Sequence, residues 1–185
     1  IGLEKKLLPY GREPHSVIGS SCIGASIVGG VCNNSGGSLI KRGPSYTELA
    51  LYAKIDSSGE LLLINDLGIE LGDTPKEILD NLQNQNYDKN QIKFSNKRAS
   101  DNEYEKRVRD VEAKTPSRFN ADGRRLFGAS GCAGKVAVFA VRLDTYPIPK
   151  RNQVFFVGTN SVNVLGKQHR ASIPPPMLAL PLAHG

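Results

Sequence analysis

Histidine, cysteine and aromatic side chains are scarce in this chain of 185 residues, and long apolar runs are missing altogether. Nothing approaches the roughly 18 consecutive apolar residues of a membrane-spanning helix. The opening IGLEKKLLPYG lacks the charged start and long apolar core of a secretory signal, so the expectation is a cytoplasmic protein. The three cysteines, Cys22, Cys32 and Cys132, offer neither a CxxC pair nor the even count of a secreted disulfide scaffold, and they read as reduced, small, buried residues. The three histidines, His15, His169 and His184, are scattered without an HExxH or His/Cys cluster, which leaves no metal site to assign.

Other absences narrow the chemistry. The net charge is +6, but lysine and arginine are interleaved with acids, as in NEYEKRVRDVEAK, and aromatics make up only 6% of the chain. That pattern reads as a solvated helical face with i,i+4 pairs such as Glu103 with Arg107, ahead of a nucleic-acid patch. A stand-alone basic module for an anionic or nucleic-acid ligand remains the alternative from another functional class. Neither familiar phosphate loop is present: no GxGxxG joins a strand to a helix, and Gly134-Lys135 is followed by Val136 where a nucleotide-binding loop needs Ser or Thr. No GxSxG elbow occurs, and Asp101, Glu103 and Glu105 fall in a pattern too exposed for an acid/base pair. No residue is assigned a catalytic role, so any hard chemistry would belong to a cofactor.

What is present is an ordinary globular composition, 39% apolar and 23% charged. GSSCIGASIVGGVCNNSGG, residues 19–37, is nearly all small side chains, a surface of amides and hydroxyls that backbone or a flat, anionic ligand can approach. Tight turns and close backbone packing would account for it as well. TELALYAKID, SSG and ELLLINDL alternate as an antiparallel hairpin, strands at about 47–55 and 60–65, with Leu49, Leu51, Ala53 and Ile55 on one face. TPKEILDNLQ carries a capping box for a helix at about 75–84. The polar residues 84–101 read as a surface insertion, and a helix follows in NEYEKRVRDVEAK. GASGCAGK then repeats the small-residue theme ahead of a strand at 136–143, and QVFFVGT, 153–159, reads as a last strand. The order predicts an α+β fold with mostly antiparallel pairing and flanking helices.

Two long stretches carry a resemblance. PYGREPHSVIGSSCIGASIVGGVCNNSGGSLIKRGPSYTELALYAKI and RVRDVEAKTPSRFNADGRRLFGASGCAGKVAVFAVRLDTY resemble the flavin-binding domain of the bacterial quinone-dependent D-lactate dehydrogenase family, with coverage from about residue 3 to 164. The resemblance implies the second subdomain of a vanillyl-alcohol-oxidase-type (PCMH) FAD-binding domain, and an enzyme that oxidises D-lactate to pyruvate and hands electrons to quinone at the cytoplasmic face of the inner membrane. It places FAD contacts on Gly19, Ser26, Gly36 and Val138, and implies no nucleic-acid partner. It further implies a piece of a longer enzyme: residues 1–164 as a partial FAD-binding domain, with the first flavin subdomain expected ahead of residue 1 and the membrane-binding region beyond Val164. The substrate base falls outside this chain, and the piece alone is expected to be inactive. Two features fit, a start without Met inside the Leu3, Leu7, Leu8 pattern and a tail, 165–185, with four prolines and no acids. That tail reads as a disordered linker or as a frameshifted end.

Overall fold

The computed structural model describes residues 2–15, 25–35, 40–93, 95–118, 122–132, 134–154, 156 and 158–161. Among them the expected α+β architecture is present. Helix α1 (Gly2–Leu7) runs into a 3-10 turn at Leu8–Tyr10 and a two-residue strand β1 (Arg12–Glu13); α2 (Ile27–Cys32) precedes the hairpin β2 (Ala50–Ile55) and β3 (Leu61–Asn65). Next come α3 (Pro75–Gln83), α4 (Tyr104–Arg109), β4 (Ala137–Val141) and β5 (Tyr146–Pro147). Strands β3, β2 and β4 form one antiparallel sheet in that order, while β1 pairs with β5 in a separate ribbon.

The hairpin turns where its sequence says it should. Asp56 accepts hydrogen bonds from the main chain of Ser58 and Glu60 at 2.8 and 3.0 Å, and Gly59 takes a φ of +87°. Strand β2 begins at Ala50, later than expected, because Thr47 spends its backbone on side chains. Its N–H donates to Ser130 Oγ at 2.9 Å, and that hydroxyl donates back to the Thr47 carbonyl at 2.8 Å. Helix α3 has the capping box read from its sequence: Thr74 Oγ1 accepts from the Glu77 N–H at 3.3 Å, and the Glu77 carboxylate accepts from the Thr74 N–H at 3.0 Å.

The sheet is covered on both sides, where the alternation pointed to one apolar face. Ala50 and Tyr52 pack with Val31 of α2, Ala129 and Val138, whereas Leu51 packs with Leu67, Leu71 and Ile78 of α3. At the hairpin tip burial ends, and Ile55 is left mostly exposed. Strand β4 serves both layers through a β-bulge: Tyr52 faces Val138 and Leu51 faces Ala140, so Phe139 is the extra residue.

Two expectations are corrected. Residues 153–159 form no strand among those described; Val154 and Phe156 are largely exposed and no described strand lies beside them to complete a ladder. The segment 84–101 is not a surface insertion throughout. Lys93 N–H bonds to the Gly68 carbonyl, Asp144 N–H bonds to the Ala99 carbonyl, and Asp101 is 1% exposed.

Burial of Asp101 also overturns its reading as a surface acid. Its carboxylate accepts from Arg125 Nε and Nη2 at 2.7 and 2.9 Å and pairs with Arg107, while Arg125 reaches Glu103 at 3.0 Å. The expected Glu103–Arg107 pair exists at 3.5 Å, but it is the lesser partner of that arginine. Arg98 and Arg125 both lie over the Tyr46 ring, 5.6 and 5.5 Å from its centre, and Tyr46 donates to Glu48 at 2.7 Å. Burial is opposed by hydrogen bonds from Tyr46 and Arg98, which together hold the Glu48 carboxyl below its usual range. This cluster ties residues 46–48, 98–107 and 122–125 into one body.

Candidate functional site

The described part of the first small-residue stretch is a short helix with a built start. Ser26 is extended (φ −86°, ψ 148°) and its Oγ accepts from the Gly29 N–H at 3.0 Å, capping α2. A side chain at position 29 would put Cβ 2.9 Å from that oxygen, which explains a glycine inside the first turn. The Ser26 hydroxyl is exposed and accepts the capping bond, so its own O–H is oriented by whatever lies outside the helix.

The second small-residue stretch packs onto the end of α2. Phe127 and Ser130 exchange both main-chain hydrogen bonds around Gly128-Ala129, and Gly128 takes φ +51° against the Tyr52 ring. Gly131, at φ +66°, donates its N–H to the Val31 carbonyl at 3.1 Å, so close that a Cβ would run into Asn34 and Leu126. For these glycines close backbone packing is the reason for the residue. Asn34 Nδ2 donates to the Arg125 carbonyl at 3.1 Å, and its buried Oδ1 has no partner among the described residues.

Of the four expected contact residues, Ser26 and Val138 are described and the fold brings their elements together. Val31, inside the helix that Ser26 caps, packs in the same layer as Val138 on β4. Gly19 and Gly36 lie outside the described residues. A pocket of about 350 Å³ opens between α1 and the end of β4, lined by Leu3, Pro14, His15, Ile27, Leu143 and Thr145 among others; Ile27 follows Ser26, but neither Ser26 nor Val138 is in its lining.

His15 is the residue that sequence reasoning passed over. It is 8% exposed, its Nε2 bonds to the Gly43 carbonyl, and Ser45 Oγ is 3.4 Å from Nδ1. Burial lowers its pKa; the Gly43 hydrogen bond works against this and nearby Arg42 adds to it, so the ring is held neutral near pH 7. Arg42 pairs with Glu13, donates to the Pro14 carbonyl at 2.9 Å and stacks 4.6 Å from the Tyr146 ring centre. GREPH therefore acts as a strap across the pocket rim, a role visible only once the loop of residues 40–45 lies against it.

A mostly apolar wall with a few placed polar groups is the usual make-up of a small-molecule site. No protein-family model matches the chain. Curated relatives do. The quinone-dependent D-lactate dehydrogenase of Escherichia coli K12 is 58% identical over 168 residues, covering 91% of this chain and 29% of the relative. The chain is similar to one segment of quinone-dependent D-lactate dehydrogenase. The proteins of that name from Haemophilus influenzae and Corynebacterium glutamicum are 58% and 42% identical, covering 91% and 95% of this chain. The chain spans about 30% of the length of these relatives. Among the described residues no helix is long and apolar enough to cross a membrane.

Proposed function

We propose that this chain forms one wall of an FAD site in a flavin-dependent oxidoreductase that oxidises D-lactate to pyruvate and passes the electrons to quinone. The observation that carries the reading is 58% identity sustained over 91% of the chain to quinone-dependent D-lactate dehydrogenase. The geometry supports it. A pocket of about 350 Å³ is at the small end of ligand sites, enough for a ring system but not for a whole dinucleotide, as one side of a cleft should be.

In this reading the chain is the second subdomain of a vanillyl-alcohol-oxidase-type FAD-binding domain, acting within a longer protein. Gly19 and Gly36 admit the cofactor against main chain, Ser26 donates its free hydroxyl proton, and Val138 offers strand backbone to the ring's polar edge. His15, kept neutral by burial and anchored by its bond to the Gly43 carbonyl, fixes the pocket rim. Bound FAD would supply the two-electron acceptor for lactate oxidation. The longer protein works at the cytoplasmic face of the inner membrane through a surface outside this chain. Four arginines of the basic stretches, Arg98, Arg107, Arg124 and Arg125, are engaged by acids, which disfavours a nucleic-acid patch.

A chimera tests this directly: the matching segment of the E. coli relative is replaced by this chain. The purified chimera should carry flavin absorbance that bleaches with D-lactate, and Ser26→Ala should weaken flavin retention without unfolding it. A folded chimera that holds no flavin would sink the proposal.

A further inference from the structure

Cys32 ends α2, and Cys132 follows Gly131 in the second small-residue loop. The Gly131 N–H to Val31 carbonyl bond, 3.1 Å, clamps the two main chains together one residue before each cysteine. That clamp sets Cys32 and Cys132 beside one another, near enough for the Cys132 thiol to perturb Cys32. Both are free and partly exposed, and neither is used by the flavin reading above. Disulfide closure asks for two main chains held close and for access by a reagent; the clamp supplies the first and partial exposure the second.

We propose that Cys32 and Cys132 are a reversible dithiol–disulfide site that reacts with low-molecular-weight disulfides and staples the end of α2 to the second small-residue loop. The step balances in two exchanges. One protein thiolate attacks the small disulfide, forming a mixed disulfide and expelling one small thiol; the second then attacks the protein-bound sulfur and expels the other. Two protein S–H bonds are exchanged for one S–S bond, the protein loses two electrons and two protons, and the small disulfide is reduced to two thiols. Burial, reinforced by the neighbouring Cys132 thiol, pushes Cys32 up to about 11, so exchange at Cys32 is slow at neutral pH and quickens as pH rises. The closed link spans about 100 residues of chain, a length at which closure restricts the unfolded state strongly.

The test uses the full chain and oxidised glutathione at mildly alkaline pH, followed by peptide mapping without reductant. The expected product is about 2 Da lighter than the reduced chain, joins the Cys32 and Cys132 peptides, reverts with dithiothreitol and has a higher thermal midpoint. It should persist in Cys22→Ser and vanish in Cys32→Ser and in Cys132→Ser, with circular dichroism confirming that each variant is folded. Three outcomes would overturn the proposal: stable glutathione adducts without closure in folded Cys22→Ser, a link that instead engages Cys22, or both thiols left unreacted after prolonged exposure. None of these readouts involves flavin, so the proposal stands or falls apart from the functional one.

Discussion

Removing the Asp101 carboxylate should be among the most damaging single changes to this fold. The Asp101 side chain is 0% exposed and the Arg125 side chain 5%, joined by two hydrogen bonds of 2.7 and 2.9 Å, with Arg107 on the same carboxylate. In Asp101→Ala, the one carboxylate left to Arg125 among the described residues is Glu103, which is 58% exposed. Breaking a buried pair by deleting one partner costs about 3–5 kcal/mol, because the remaining charge is stranded away from water. Glu103 compensates in part and Arg107 at 15% exposed can find water, so a value of about 3 kcal/mol is expected. With a urea slope of about 2 kcal/mol per molar, the unfolding midpoint should drop by about 1.5 M. Adding Arg125→Met removes the stranded charge and should restore about 1–2 kcal/mol. A midpoint shift below about 0.5 M, or a double variant that recovers nothing, would refute the assignment of this cluster as a structural anchor.

Two further perturbations probe the site's supports. Gly131→Ala should cost about 2–3 kcal/mol in urea unfolding, combining a positive φ with a Cβ forced against Asn34 and Leu126, while Gly134→Ala, at φ +80° in open space, should cost only about 1; equal losses would show that packing at Gly131 is unimportant. For His15 the native pKa lies below the unfolded value of about 6.5, so the unfolded chain binds more protons. Its stabilising contribution is complete above about pH 6.5 and fades as pH falls toward the native pKa. Stability measured across that window should slope upward with pH, and His15→Gln should flatten the slope; an unchanged slope would contradict the neutral, buried ring.

Local chemistry was legible wherever a signal was contained within a few residues. Thr74, Pro75 and Glu77 announced a helix start, Ser57 to Gly59 announced a bend, and both features stand in the structure, the bend with Asp56 accepting from the Ser58 N–H. Alternation over Leu49 to Ile55 located β2 but counted one covered face where there are two, because Tyr52 and Ala50 gain a layer only when α2 and the Gly128–Gly131 turn arrive from far along the chain. Asp101 was misread for a related reason: its partner Arg125 is distant in sequence, so its neighbours advertise a solvated helix. At the candidate site, Ser26 was singled out by small-residue context and resemblance, and the structure places it as the cap of α2. His15 could have been found only from its pairing with the carbonyl of Gly43, a contact without any sequence period.

The bulge at Phe139 bears on how the chain behaves in concentrated solution. Strand β4 is an outer strand of its sheet among the described residues, and an outer strand with a straight row of free amides is a template for recruiting other chains. The extra residue interrupts that row and increases the local twist, while its half-exposed ring stands over the groove lined by Leu79, Leu82 and Ala140. Deleting Phe139 would keep Val138 and Ala140 on their present faces yet give β4 a continuous edge. The shortened protein should therefore fold with the same core and aggregate sooner, a cost that would show in light scattering well before it showed in stability.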